Sequence, residues 1–329
     1  MYRAVMTEGA ERRTRVGALL PTREAHLRGA GAASVVEFGT AAVDRGFESL
    51  WAGDSLTARP RAEPLTLLGG VAVACPEVTI GTAALTGALR QPVLAAHQIA
   101  TLDQLAGGRL VLGLGAGAPL PATQAEFAAA GADFEGRIRR LDETVTLWRA
   151  LWDPARDPAQ PFDFAGKHLS VSGIEGLPLP ARPGGPPLWL AGGGDLALRR
   201  AGRLYDGWLP YPPAAEEYGR GLDVAREAAT EAGRDPSELT PALYVTVNLG
   251  DSSAARAELE HYVLDYYGMP LEVMSTVQAF YAGPVEGCVD WLRAYVDAGA
   301  RHLVIRFGAA DPMQQLVSAA ERLLAGLRA

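Results

Sequence analysis

At 329 residues the chain is about twice the usual domain size, which leaves two domains or one large barrel as the starting options. Its 48% hydrophobic and 21% charged residues fit a compact globular protein and exclude the disordered, collagenous and coiled-coil classes. Thirty basic against 38 acidic residues give a formal net charge of −8, which repels a phosphate backbone and argues against nucleic acid as a partner. Lys167 is the one lysine, so an anion clamp here would be built from Arg forks or backbone amides.

Cys75 and Cys288 lie far apart with no CxxC pair, so neither a disulfide framework nor a thiolate metal site has support. A reducing cytoplasm is the default setting. The first fifteen residues carry Glu8, Glu11 and four arginines without an apolar core, which is not a signal peptide, and the apolar stretch around Leu65–Cys75 is too short to span a membrane. Residues 1–14 read as an N-terminal extension and 15–329 as one domain.

From end to end, short apolar runs alternate with amphipathic stretches, the mark of repeated βα units and a parallel sheet. The runs begin with Val16–Pro21, followed by a helix with Val35, Val36, Ala42 and Val43 on one face, then Ser49–Gly53 and Val78–Leu85. Pro92 opens a helix that reaches Leu105 and ends at Gly107-Gly108, and Leu110–Leu114 is the fourth run. Eight prolines between Asp153 and Pro187 exclude a regular helix there, so 153–187 reads as an insertion or linker. Leu188–Ala191, Gly207–Pro210, Leu243–Leu249 and His302–Phe307 complete the set, with a helix through Val285, Cys288, Val289, Leu292 and Val296 before the last. Eight such units suggest an α/β fold closed as a (β/α)₈ TIM barrel with insertions; the rival is a doubly wound sheet with a second domain beyond the proline stretch.

Several segments could carry chemistry. Gly192-Gly193-Gly194 joins a strand to a helix, where open backbone and free N–H groups favour an anion, although Asp195 as an N-cap would satisfy the same amides. Gly113-Leu114-Gly115-Ala116-Gly117-Ala118 meets a relaxed dinucleotide fingerprint, but Pro119 and Pro121 argue that no helix starts there for a pyrophosphate, and room for a planar ring is the better reading. Asp54 sits at the C-terminal end of a strand, where barrel enzymes keep their catalytic groups; a capping Asp is the plainer alternative. The five histidines show no metal-ligand spacing, and His97 shares a polar helix face with Thr101 and Gln104, so no metal is expected. Trp208 and Tyr211, with the stretch Tyr266, Tyr267, Met269, Phe280 and Tyr281, offer aromatic walls for a flat or apolar substrate, or plain packing.

Taken in order, Ser49–Asp54, Ile80–Ala84, Ala100–Arg109 with Leu112–Gly117, and Ala191–Gly194 with Arg199-Arg200-Ala201 and Asp206-Gly207-Trp208 resemble the luciferase-like monooxygenase family. The resemblance implies a barrel that binds reduced FMN or the deazaflavin F420 at the C-terminal ends of its strands. By this likeness Ala83-Ala84 matches a third-strand bulge, often a cis peptide, behind the flavin ring; Gly115, Ala116 and Gly117 line the ring or ribityl chain; Gly192, Gly193 and Gly194 hold the phosphate; and Asp54 lies near the reactive edge. Asp195 departs from the family pattern, and Arg90 is the candidate for the compensating charge. Asp103 and Arg109 also match, with a structural pairing between helix end and strand as their explanation. FMN implies oxygenation of a small organic substrate and a flavin reductase as partner, F420 implies hydride transfer, and the Gly-Gly-Arg strand entry leans toward F420. A homodimer is also implied. A flavin-binding protein of the same fold without turnover is the alternative.

Overall fold

The computed structural model describes residues 13–328, so most of the 1–14 extension lies outside the described residues. All eight expected runs are strands: β1 (Arg15–Leu19), β2 (Ser49–Ala52), β3 (Thr79–Thr86), β4 (Leu110–Gly115), β7 (Leu188–Leu190), β8 (Gly207–Trp208), β9 (Thr240–Leu249) and β11 (His302–Phe307). They pair in the order β9, β11, β1, β2, β3, β4, β7, β8, and β8 returns to β9 through Gly207 opposite Thr240, so the parallel sheet closes into an eight-stranded barrel and not an open doubly wound sheet.

An extra strand, β10 (Phe280–Gly283), runs parallel to β9 outside the closed ring, pairing Phe280 with Thr246 through Gly283 with Leu249. Its place follows from unequal lengths. β9 has ten residues but β8 has two, which cover only Thr240 and Pro241, so the upper edge of β9 is left for another strand to satisfy. The proline-rich segment holds an antiparallel hairpin, β5 (Phe162–Ala165) with β6 (Ser170–Ile174), and no helix.

The helices start where the chemistry of their first turns allows. The helix Pro92–Leu105 has Pro92 in its first turn and the Gln91 side chain accepting from the Leu94 N–H, while Pro64–Ala74 uses Pro64 and Glu63 in the same way. Two corrections apply to the loops. Asp103 and Arg109 do not pair: the Asp103 carboxylate accepts from the Arg182 N–H at 2.8 Å, tying the proline-rich segment down, and Arg109 donates to the carbonyl of Val78. A helix does begin after the glycines of β4, at Pro121, because proline in the first turn loses no intrahelical hydrogen bond.

The barrel interior is plugged by two tryptophans. Trp51 and Trp189 stack with centroids 5.1 Å apart, and they fit because their neighbours lack side chains: a Cβ on Gly81 would lie 2.5 Å from the Trp51 ring, and one on Gly207 2.4 Å from Trp189. Trp51 Nε1 donates to Ser49 Oγ, which lies 2.8 Å from His302 Nε2. Burial, with a smaller contribution from Arg15, pushes the His302 imidazolium pKa down to about 3, so the ring that shares this hydrogen bond with Ser49 is neutral. This layer of the interior is thus filled, and its imidazole is neutral. Chemistry is left to the other end.

Candidate functional site

Above the tryptophans, at the C-terminal ends of the strands, a cavity of about 210 Å³ opens. Leu19, Gly53 and Asp54, Ala83 and Ala84, Ala191, and Leu209 come from the ends of β1, β2, β3, β7 and β8, so one side of the lining is small and apolar. The other side is aromatic and cationic: Tyr211 after β8, Tyr244 on β9, Tyr266 and Tyr267 on the helix Ser252–Tyr267, Gln278 before β10, Arg306 on β11, and Arg59 and Arg61 from the loop after β2.

The small wall depends on a break in the β3–β4 ladder. Register shifts between Thr82 and Leu85, and the Ala83–Ala84 peptide is cis. Thr82 Oγ1 donates to the Gly113 carbonyl at 2.8 Å, and a Cβ on Gly113 would come within 2.2 Å of the Thr82 carbonyl oxygen, so only glycine admits this approach. Gly115 abuts Ala84, and Gly115, Ala116 and Gly117 run on from β4 at the rim beside the bulge without entering the 210 Å³ lining.

Asp54 faces the cavity, but its carboxylate is committed. Oδ2 accepts from the Thr86 N–H at 2.8 Å and lies 2.6 Å from Arg90 Nη1, while Arg90 Nη2 reaches Glu63 at 2.9 Å. Burial works to raise the Glu63 pKa, yet the Thr66 N–H and Arg90 outweigh it and hold the carboxyl below its ordinary value. Arg90 therefore pairs with two carboxylates of this chain. It lines a neighbouring cavity of about 380 Å³ that shares Asp54 and Arg61 with the first.

The Gly192–Gly194 turn follows Ala191 directly. Its helix, Asp195–Leu204, has Gly194 as the N-cap residue, and no side chain caps it, so the expected Asp195 cap is corrected: Asp195 is the first helical residue, points outward and leaves the leading amides open. Nothing lies within 4 Å of a Cβ built on Gly193 or Gly194. Trp208, expected in the substrate pocket, is 2% exposed, donates from Nε1 to the Gly192 carbonyl at 2.9 Å and stacks on Tyr218; it braces the glycine turn from behind and is outside the cavity lining. Tyr211 does line it, with Tyr266 and Tyr267, whereas Met269, Phe280 and Tyr281 do not.

Sequence reasoning missed Arg59, Arg61, Tyr244, Gln278 and Arg306. For two of them a signal existed: Arg306 is a charge inside the run His302–Phe307 and Tyr244 a phenol inside Leu243–Leu249, and polar groups in barrel strands that read as buried need a partner or a purpose.

A model of the luciferase-like monooxygenase family matches residues 14–302. The chain belongs to that family, whose members are flavin- and F420-dependent oxidoreductases. Among curated proteins it is 30% identical over 227 residues to the phthiodiolone/phenolphthiodiolone dimycocerosates ketoreductase of Mycobacterium bovis (strain BCG / Pasteur 1173P2), covering 61% of this chain and 57% of that relative, so it spans less than two thirds of that protein's length. It is 27% identical over 314 residues to the F420-dependent glucose-6-phosphate dehydrogenase of Rhodococcus hoagii (strain 103S), covering 83% and 87%. Among solved structures, an F420-dependent secondary alcohol dehydrogenase in complex with an F420-acetone adduct superposes with a TM-score of 0.81 at 20% identity, over 96% of this chain and all of that one, which establishes the fold.

The residues present fit a flat, phosphorylated cofactor of this family. A planar ring has the apolar wall of Ala83, Ala84, Ala191 and Leu209 to lie on, and a phosphate has the uncapped amides after Gly193, where a Cβ would meet none of the described residues within 4 Å.

Proposed function

We propose that this protein is an F420-dependent oxidoreductase that interconverts a ketone and a secondary alcohol. The observation that carries the cofactor is the alignment with an F420-dependent dehydrogenase over 83% of this chain and 87% of that relative, and the ketone is drawn from the 30% identity to a ketoreductase. When bound, F420 supplies or accepts the hydride. Ala83 and Ala84 back its ring, Gly115, Ala116 and Gly117 flank it along the rim, and Gly192, Gly193 and Gly194 with the leading amides of the following helix hold its phosphate.

The chain's own groups then set orientation and protonation. Asp54, fixed by Arg90 and the Thr86 amide, positions the loop after β2 at the cavity. Tyr266 is the candidate acid. Burial works to raise its pKa, but Arg61 and Arg306 outweigh that and lower it, so its phenol gives up a proton to a substrate oxygen more readily than an ordinary tyrosine. Free, buried Cys75 and Cys288 support a reducing, cytoplasmic setting.

The test is a paired titration of the purified protein with F420 and with oxidised and reduced FMN, read by fluorescence and absorbance. F420 binding without an FMN response, followed by ketone-dependent oxidation of reduced F420, is the expected result. Preference for reduced FMN and oxygen consumption would overturn it.

A further inference from the structure

Arg306 on β11, Arg23 after β1, and Arg59 and Arg61 after β2 gather around Tyr266 and Tyr267 at the mouth, a cluster in which cations outnumber carboxylates. Arg306 is 2% exposed, yet no carboxylate lies within 4.0 Å of it, nor of Arg23, Arg59 or Arg61, among the described residues. Its Nε and Nη2 donate to Thr246 Oγ1 at 3.0 and 2.7 Å, and Nη2 also donates to the Tyr267 hydroxyl at 2.7 Å. Tyr267 donates in turn to Gln278 Oε1 at 2.8 Å, and Gln278 Nε2 donates to Thr246 Oγ1 at 3.1 Å, closing a ring that locks the guanidinium in place. Among the described residues Nη1 makes no hydrogen bond.

Tyrosine faces soften the charge without cancelling it. The Tyr266 ring centroid lies 4.4 Å from Arg306, 5.0 Å from Arg23 and 5.6 Å from Arg61, and Arg59 lies 4.9 Å from the Tyr267 centroid. Glu24, a buried carboxylate nearby, accepts from the Tyr262 hydroxyl and sets one opposing charge against the four arginines. Such a concentration of guanidinium groups stands out on a chain of net charge −8. A buried cation fixed by neutral partners, with a donor left over and further cations beside it, is built to meet an anion.

The order of the closed barrel says where that anion sits. With strands in the sequence β9, β11, β1, β2, β3, β4, β7, β8, β9 stands across the barrel from β3 and β11 across from β4. Arg306 on β11 therefore faces the small-residue wall, while Arg61, from the loop after β2, lies beside Gly53 at the edge of that wall, and both guanidiniums lie over the Tyr266 ring. We infer that Arg306 and Arg61 form an oxyanion-binding subsite, so that the substrate carries a carboxylate or phosphate group in addition to the carbonyl or alcohol that reacts. This rests on reading the cavity as the mouth of a cofactor-dependent oxidoreductase. A neutral substrate would leave the Arg306 and Arg61 charges without an anionic partner and bind more weakly.

The experiment is a calorimetric titration of the cofactor-free full chain with benzoate, benzamide and inorganic phosphate, at low and at high salt. Benzoate or phosphate should bind at least tenfold more tightly than benzamide, the margin should shrink with salt, and Arg61→Gln should weaken the anion at least fivefold with benzamide unaffected. Preference for phosphate over benzoate, or the reverse, supports the subsite and says which oxyanion it takes. Arg306→Met is the stronger variant; if circular dichroism finds it unfolded, Arg61→Gln and Arg59→Gln, both on a half-buried loop, decide the matter. Equal affinities for benzoate and benzamide, or an anion affinity indifferent to Arg61→Gln, would overturn the inference. Competitive displacement of benzoate by F420 would also overturn it, by assigning the subsite to the cofactor. Anion binding that passes these tests on a chain that fails to bind F420 would leave the subsite standing and sink the proposed function instead.

Discussion

The Arg90 guanidinium lies between two carboxylates, 2.6 Å from Asp54 and 2.9 Å from Glu63, and through Asp54 it fixes the loop after β2 against the Thr86 amide at the end of β3. The Asp54 side chain is 6% exposed, so removal of Arg90 strands a charge with little water to solvate it. Arg90→Ala is expected to destabilise the protein by about 3–5 kcal/mol, the usual cost of removing one partner of a buried pair. The double variant Arg90→Met/Asp54→Asn, which strands nothing, should recover much of that loss. Denaturant unfolding of the three proteins checks it; an Arg90→Ala cost below about 1 kcal/mol would mean the pair behaves like an exposed one.

Gly113 and Gly193 separate packing from binding. A Cβ at 113 would meet the Thr82 carbonyl oxygen at 2.2 Å, while one at 193 would meet nothing within 4 Å. Gly113→Ala should therefore cost about 1–3 kcal/mol or more, since backbone must shift to admit the methyl. Gly193→Ala should leave the melting temperature unchanged and weaken F420 about tenfold by placing a methyl where the phosphate approaches. Thermal melts and F420 titrations of both variants test this together, and a Gly193→Ala protein with native F420 affinity would remove the glycine turn from the site.

The barrel was legible because its strands fall within apolar sequence runs of four to eight residues, separated by helices whose first turns advertise themselves, as Pro92 and Gln91 do. The bulge at Ala83–Ala84 was legible only through likeness to a family, since alanine carries no turn signal of its own. Where local rules misled, a tertiary contact or an overlooked capping option decided the outcome. Asp195 is a good N-cap type, but Gly194 takes the cap and leaves the carboxylate outside; Asp103 and Arg109 are close in sequence, yet each found a backbone partner elsewhere. The convergence of the cationic half of the mouth was not legible, for another reason. Arg59, Arg61, Tyr244, Tyr266 and Arg306 come from four separate segments, and nothing in their local sequence shows that the barrel brings them to one cavity.

His302 ties stability to pH. Burial holds the folded imidazolium pKa down at about 3, whereas in the unfolded chain it is near the ordinary value of about 6.5. Below about 6.5 the unfolded state binds a proton that the folded state refuses, so the contribution is complete above that pH and declines as pH falls toward 3. Between pH 7.5 and 5.5 this one group should remove roughly 1.4 kcal/mol, by the linkage relation. His302→Asn should start less stable, because Ser49 loses its partner, but should lack this component of the slope. Denaturation midpoints at both pH values, with the slope m held constant, measure the difference; equal slopes in the two proteins would show that His302 is not excluded from protonation.

Tyr266 should be the acidic phenol of the cluster. Its neighbours Tyr244 and Tyr262 are pushed above the ordinary range chiefly by burial, which Arg306 only partly offsets. Tyr266 is just as enclosed, but Arg61 acts on it in addition to Arg306, and together they outweigh burial and the opposing charge of Glu24. A near-ultraviolet titration should then show one tyrosine ionising below the ordinary value of about 10. That phase should vanish in Tyr266→Phe and move upward in Arg61→Gln, while a titration unchanged by Tyr266→Phe would assign it elsewhere. If the same phenol delivers the substrate's proton, Tyr266→Phe should lower kcat about 10²-fold or more, the usual scale of general acid catalysis, with KM little altered. The two readouts are independent, because a merely structural tyrosine would give up its ultraviolet phase without losing kcat.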